Sequence, residues 1–253
     1  MNPRILLAVT ARVLQQLRRD HRTSAMLLVL PCVILTLLWW MFGEVPTGAA
    51  GFDRLGPPLL ALIPFIVMFL VTSVTTLRER SSGTLERLLA MPTGKLDFLG
   101  GYALAFGLVA AVQSTLAVLL CVTALGLDVA ASVWVLVVVA VADAVLGSAL
   151  GLFVSAFART EFQAVQFMPA IVIPQILLCG LFVPRDQMPD VLSAVSDVLP
   201  LSYAVDAMTS VATVSGSAIG EVTSEVWQDI GVVTAFAVAA LALGAATLRR
   251  RTP

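Results

Sequence analysis

Residues 78–95 read RERSSGTLERLLAMPTGK, a stretch that holds six charges between two apolar runs long enough to cross a bilayer. Leu85, Leu88 and Leu89 have helical spacing, Thr84 can cap the helix start, Glu86 suits the positive end of the helix dipole and Pro92 stops it. The spacing predicts a two-turn amphipathic helix, set off by Gly83 from the run before it and turned along a membrane surface. Arg78, Glu79, Arg80, Glu86, Arg87 and Lys95 are expensive at membrane depth, about 2.5 to 3.5 kcal/mol for each basic one at a helix centre. They are therefore expected to face water or a partner.

The flanks of this stretch set the fold class. Hydrophobic residues are 59% and charged residues 12% of the chain, with mean hydropathy +0.97, far from the roughly one-quarter charged content of soluble domains. A helix needs about 20 apolar residues to cross a hydrocarbon core about 30 Å thick. Six segments meet that length: residues 25–42, 57–77, 98–125, 133–157, 162–183 and 230–248. The expected fold is an all-α integral membrane domain over residues 1–253, with 1–23 as an interfacial helix, 78–97 as a charged connecting region and 184–229 as an outer segment.

Six crossings put both ends of the chain on one side. Thirteen basic residues, among them Arg4, Arg12, Arg18, Arg19, Arg22, Arg159 and Arg249 to Arg251, fall on that side, and only Arg54 and Arg185 on the other. The positive-inside rule then places both ends in the cytoplasm. Trp39, Trp40, Trp134 and Trp227 all fall at expected outer ends, where indole rings favour the interface. The N-terminal region lacks the compact basic segment and cleavage site of a signal peptide, so the first span is expected to remain as an anchor.

Before that span, Ile5, Val9, Val13 and Leu17 recur every four residues while arginines hold other positions. The pattern is an amphipathic helix expected in the inner membrane surface, basic side towards headgroups. His21 reads as a solvated surface histidine. In the fourth span Asp143 is followed at intervals of four by Gly147, Gly151 and Ser155, a small or polar stripe suited to close helix approach. Asp143 is either a functional intramembrane acid or a group satisfied by a neighbour such as Gln113. In the fifth span Gln163, Gln166 and Gln175 need helix or cavity partners, and Pro169 and Pro174 interrupt its backbone pairing. Beyond it, the pieces around 191–199 and 203–214 are too short to cross and read as helices dipping into the outer leaflet.

Several chemistries find no support in the residues. The chain has no GxxxxGK[ST] phosphate loop, no HExxH, no GxSxG with a matching acid and histidine, and no GxGxxG after a strand. One histidine and three cysteines, Cys32, Cys121 and Cys179, each inside an expected span without CxxC spacing, point to neither a catalytic nor a metal site. A basic surface interleaved with aromatics, as nucleic acid needs, is also lacking.

RERSSGTLERLLAMPTGKLDFLGGY resembles the segment after the second span of ABC-2-type exporter membrane subunits. SAFARTEFQAVQFMP, LCGLFVPRDQMP and LPLSYAVDAM are similar to that family in order and placement, with bacterial drug-exporter permeases such as those for daunorubicin nearest in likeness. The resemblance implies an ATP-driven exporter in the plasma membrane of a bacterium, with two membrane subunits, identical or homologous, and two separate ATPase subunits that bind ATP and Mg. It implies a coupling region at Arg78, Glu79, Arg80, Gly83, Thr84, Leu85, Glu86, Arg87 and Leu88, and outer re-entrant helices marked by Pro184, Pro189, Pro200 and Tyr203. No cofactor is implied in this chain, and the substrate, a drug or a lipid, is not specified. The residues leave open two alternatives: a proton-coupled carrier using Asp143, and a membrane enzyme or scaffold.

Overall fold

A computed structural model describes residues 3–43, 51–81, 95–129, 132–213 and 224–247. The chain forms α1 (Pro3–Arg19), α2 (His21–Gly43), α3 (Phe52–Ser81), α4 (Lys95–Leu119), a π turn at Leu120–Ala124, α5 (Val133–Ser155) and α6 (Glu161–Leu178). After a 3-10 turn at Arg185–Gln187 come α7 (Asp190–Ser196), α8 (Pro200–Thr213) and α9 (Ser224–Thr247). Among the described residues six helices are long and apolar enough to span a membrane: α2, α3, α4 with its π turn, α5, α6 and α9. The helices α7 and α8 meet at 88° across a short break, a bend that suits either a broken span or a re-entrant loop.

Several helices extend past their expected limits. Asp20 alone separates α1 from α2: its carboxylate accepts hydrogen bonds from the Thr23 backbone N–H and from Thr23 Oγ1, so α2 starts at His21 and not at Ala25. The bonds from Thr23 also hold the Asp20 pKa below its ordinary value. At 30 residues α3 is about 45 Å long, and its charged last turn therefore overshoots a hydrocarbon core of about 30 Å. Residues Arg78 to Ser81, expected in a separate surface segment, continue this helix. Likewise α9 starts at Ser224 and not at Ile230, taking Glu225 and Asp229 from the outer segment, while α6 stops at Leu178, before the glycine at 180 whose φ of +92° suits a turn.

The centre of the bundle is the pair α3 and α5, the most buried of the six spans. A Cβ built on Gly147 meets Phe65 O at 2.5 Å, and one on Gly151 meets Phe69 O at the same distance. Both members of these contacts advance together, so the two helices run parallel, backbone against backbone, along the small-residue stripe. Around them lie Phe65, Phe69, Leu136 and Leu146, all fully buried. The outer spans α2, α6 and α9 bury little of their surface, as lipid-facing helices do.

The apolar stripe of α1 lies against α4. Val13 and Leu17 are buried with Phe98, Tyr102 and Phe106, and Gly101 sits so near Val9 that an added Cβ would fall 2.7 Å from the valine Cβ. The stripe expected to rest in the membrane surface is thus largely used inside the protein, leaving Leu7 exposed beside the basic face.

Candidate coupling site

Three consecutive residues at the end of α3 each bind a different element. Arg78 donates from Nε and Nη2 to the two carboxylate oxygens of Glu161, both at 3.0 Å, joining α3 to the first turn of α6. Glu79 is 5% exposed and accepts from Arg12 Nη2 at 3.2 Å, joining α3 to α1. Gln16, one turn along α1 from Arg12, reaches the same carboxylate. Arg80 donates from Nη1 to the Ser155 carbonyl at the end of α5, where helix carbonyls have no partner of their own. Successive helix positions lie about 100° apart, so three neighbours necessarily point in three directions. The last turn of α3 is therefore a node linking α1, α5 and α6.

Of the two expected surroundings, water or a partner, Glu79 has the second: it is buried against an arginine of the chain itself. The bidentate geometry of Arg78 with Glu161 gives direction as well as attraction, although both side chains are about half exposed and the pair alone adds little stability. Thr160 caps α6 by accepting from the Gln163 N–H, which fixes Glu161 in the first turn facing α3. Gly83, Thr84, Leu85, Glu86, Arg87 and Leu88, the remainder of the expected coupling region, lie outside the described residues. They follow the node directly in sequence.

The polar groups within the spans form no single chain. Asp143 is 1% exposed on the stripe of α5, and neither carboxylate oxygen has a hydrogen-bond partner among the described residues. Gln113 is as deeply buried and equally unpartnered on α4, so the pairing that was one of the two alternatives for Asp143 is absent. Gln175 donates to the Ile171 carbonyl of its own helix, and Gln166 is exposed on α6 and joins no interior group.

At the opposite end the three expected prolines all stand at helix starts, where a fixed φ and a missing N–H are tolerated. Pro184 precedes the 3-10 turn, Pro189 precedes α7 and Pro200 opens α8. The bent pair closes on Arg185: it bonds Asp197 and Asp206 and lies 5.2 Å over the Tyr203 ring, while Tyr203 Oη donates to the Asp197 carbonyl. Burial works against the Arg185 charge, but the two carboxylates outweigh it and raise its pKa. An acidic cleft of about 710 Å³ opens beside it, lined also by Asp186, Glu225 and Asp229. Replacing Arg185 by methionine leaves two half-exposed acids facing each other, so the expected loss lies between about 0.5 kcal/mol for an exposed pair and about 3 kcal/mol for a buried one. Hydrogen exchange should quicken in residues 185–205 and stay unchanged in α3 and α5.

Six spans, a buried parallel pair and a charged node define a polytopic α-helical membrane domain. The chain belongs to the ABC-2 type transporter family, whose sequence profile matches residues 4–212. It is 29% identical over 150 residues to the probable multidrug ABC transporter permease YbhR of Escherichia coli, covering 59% of this chain and 41% of that one. The probable multidrug permease YbhS of the same organism is 26% identical over 155 residues, 61% of this chain and 41% of the relative. ABC transporter G family member 20 of Dictyostelium discoideum is 26% identical over 186 residues, 74% of this chain but 25% of the relative. The matches thus span less than half of each relative's length. Membership makes the chain a membrane domain of the ABC-2 transporter type and does not favour a proton-coupled carrier.

Proposed function

We propose that this chain is the membrane subunit of an ATP-driven exporter that moves an amphipathic or hydrophobic compound, a drug or a lipid, out of a bacterial cell. Both ends of the chain lie in the cytoplasm, and two such membrane subunits stand over two ATPase subunits that bind ATP and Mg. The observation that carries this reading is the node at Arg78, Glu79 and Arg80. An ATPase docked on residues 82–94 pulls on the end of α3, and the three polar links pass that displacement to α1, α5 and α6 together. The parallel α3 and α5 then move as one unit, and a cavity between two membrane subunits opens alternately to the inner and the outer side. ATP binding favours the outward state only through a difference in affinity between the two.

The docking step is tested by Glu86→Arg combined with Leu88→Pro, which reverses a charge and breaks the short helix expected there. Efflux driven by ATP is expected to fall at least tenfold, with the amount of membrane subunit unchanged and less ATPase subunit recovered on co-purification. Normal efflux with normal expression would overturn the assignment.

A further inference from the structure

The corner where α1 meets α2 holds a groove of about 320 Å³ whose floor and lips are aliphatic: Leu17 and Leu27 are buried at its base, and Leu108 and Val112 of α4 stand exposed at its edge. Its polar lining is Arg18 and Ser24, both at the end towards the α1–α2 joint, and Ser24 Oγ is already committed to the Leu17 carbonyl at 2.6 Å. Arg18 is exposed, as are Arg19 and Arg22 beside it, and no carboxylate among the described residues lies within ion-pair distance of any of the three. The nearest acid in sequence, Asp20, is occupied in capping α2 through Thr23. The volume falls at the small end of the roughly 300 to 1,000 Å³ typical of ligand sites.

We infer that this groove is a binding site for one anionic phospholipid, with an acyl chain between α1, α2 and α4 and the headgroup phosphate on Arg18, supported by Arg19 and Arg22. The position of the groove dictates that chemistry. It opens sideways from membrane-spanning helices, so its occupant comes from the bilayer, and it is apolar along its walls with unpaired positive charge at one end only. Lipid tails are as apolar as leucine, so the groove adds shape and residence time but little selectivity. Selectivity comes from the arginines, each favouring an anionic over a zwitterionic headgroup by about fivefold near a membrane surface. A lipid seated there touches both sides of the Asp20 break and so braces α1, the helix that holds Glu79.

Native mass spectrometry of the purified chain from micelles holding equimolar phosphatidylglycerol and phosphatidylcholine tests the inference. One phosphatidylglycerol per chain should be retained at about a hundredfold preference, three arginines contributing about fivefold each. Arg18→Gln should cut that preference about fivefold, and Val112→Trp, which fills the groove from its exposed lip, should abolish retention of either lipid in a monodisperse protein. Leu108→Trp on the same lip serves if Val112→Trp does not fold. Equal retention of both lipids, or retention untouched by the tryptophan, overturns the site. So does displacement by glycerol phosphate, which carries the head without the tail and would mark a simple anion site.

Discussion

Leucine at Gly147 or Gly151 is expected to prevent accumulation of folded protein, and alanine at either to lower its stability severely. A Cβ on Gly147 would sit 2.5 Å from Phe65 O, and one on Gly151 2.5 Å from Phe69 O and 3.1 Å from Ser73 N. These are backbone atoms of a neighbouring helix, so no rotamer change relieves the clash and α3 and α5 must part. Overpacking a core ordinarily costs about 1 to 3 kcal/mol when side chains can shift; here separating two helices also loosens the contacts of Phe65 and Phe69. Gly231 of α9 is the control, since nothing lies within 4 Å of its added Cβ. Alanine there should be neutral or stabilising by about 0.5 to 1 kcal/mol through helix propensity. Thermal unfolding followed by fluorescence-detected size exclusion compares all three positions. Wild-type behaviour of the Gly151→Leu protein would show that α3 and α5 are not packed in this way.

The stripe Asp143, Gly147, Gly151, Ser155 was legible because a four-residue spacing of small residues has one physical use within a membrane. Which helix it meets was not, since nothing in the α3 sequence marks Phe65 and Phe69 as the residues whose carbonyls face glycines. The class of the fold was readable for a similar reason: the bilayer forces span lengths and excludes unsatisfied backbone. Helix ends were less so, because Asp20 caps α2 by a side-chain bond and the charged end of α3 simply continues as helix. The partner of Glu79 was not legible, because each charge could be judged only alone against the membrane. Its partner Arg12 lies 67 residues away on a helix whose basic residues all look alike in sequence. The role of Arg185 was hidden for the same reason, its two acids and its aromatic ring coming together only when α7 and α8 fold against each other. Asp143 and Gln113 show the converse: two plausible partners that are both buried and do not bond each other.

Substitutions at Arg12 and Glu79 should separate stability from coupling. Removing the arginine leaves a carboxylate only 5% exposed with its guanidinium gone, whereas removing the acid leaves an arginine that is 34% exposed and can turn to water. Breaking a fully buried pair costs about 3 to 5 kcal/mol, and with one partner a third exposed about 2 to 4 kcal/mol is expected for Arg12→Ala. Glu79→Gln keeps shape and hydrogen bonding and should cost about 1 kcal/mol. Arg12→Met with Glu79→Leu puts apolar groups of similar reach at both places, an exchange that is often neutral in buried pairs, so stability should return to within about 1 kcal/mol of the parent. If the pair only holds α1 in place, transport returns with stability. If it carries displacement from the end of α3 to α1, the apolar contact yields where the charged pair held, and ATP-driven efflux stays at least tenfold down in a well-folded protein. Assaying efflux and thermal stability in the same three variants, within the complex with its ATPase, gives the answer. Full transport by the double variant would remove α1 from the proposed coupling path and leave that path to Arg78 and Arg80.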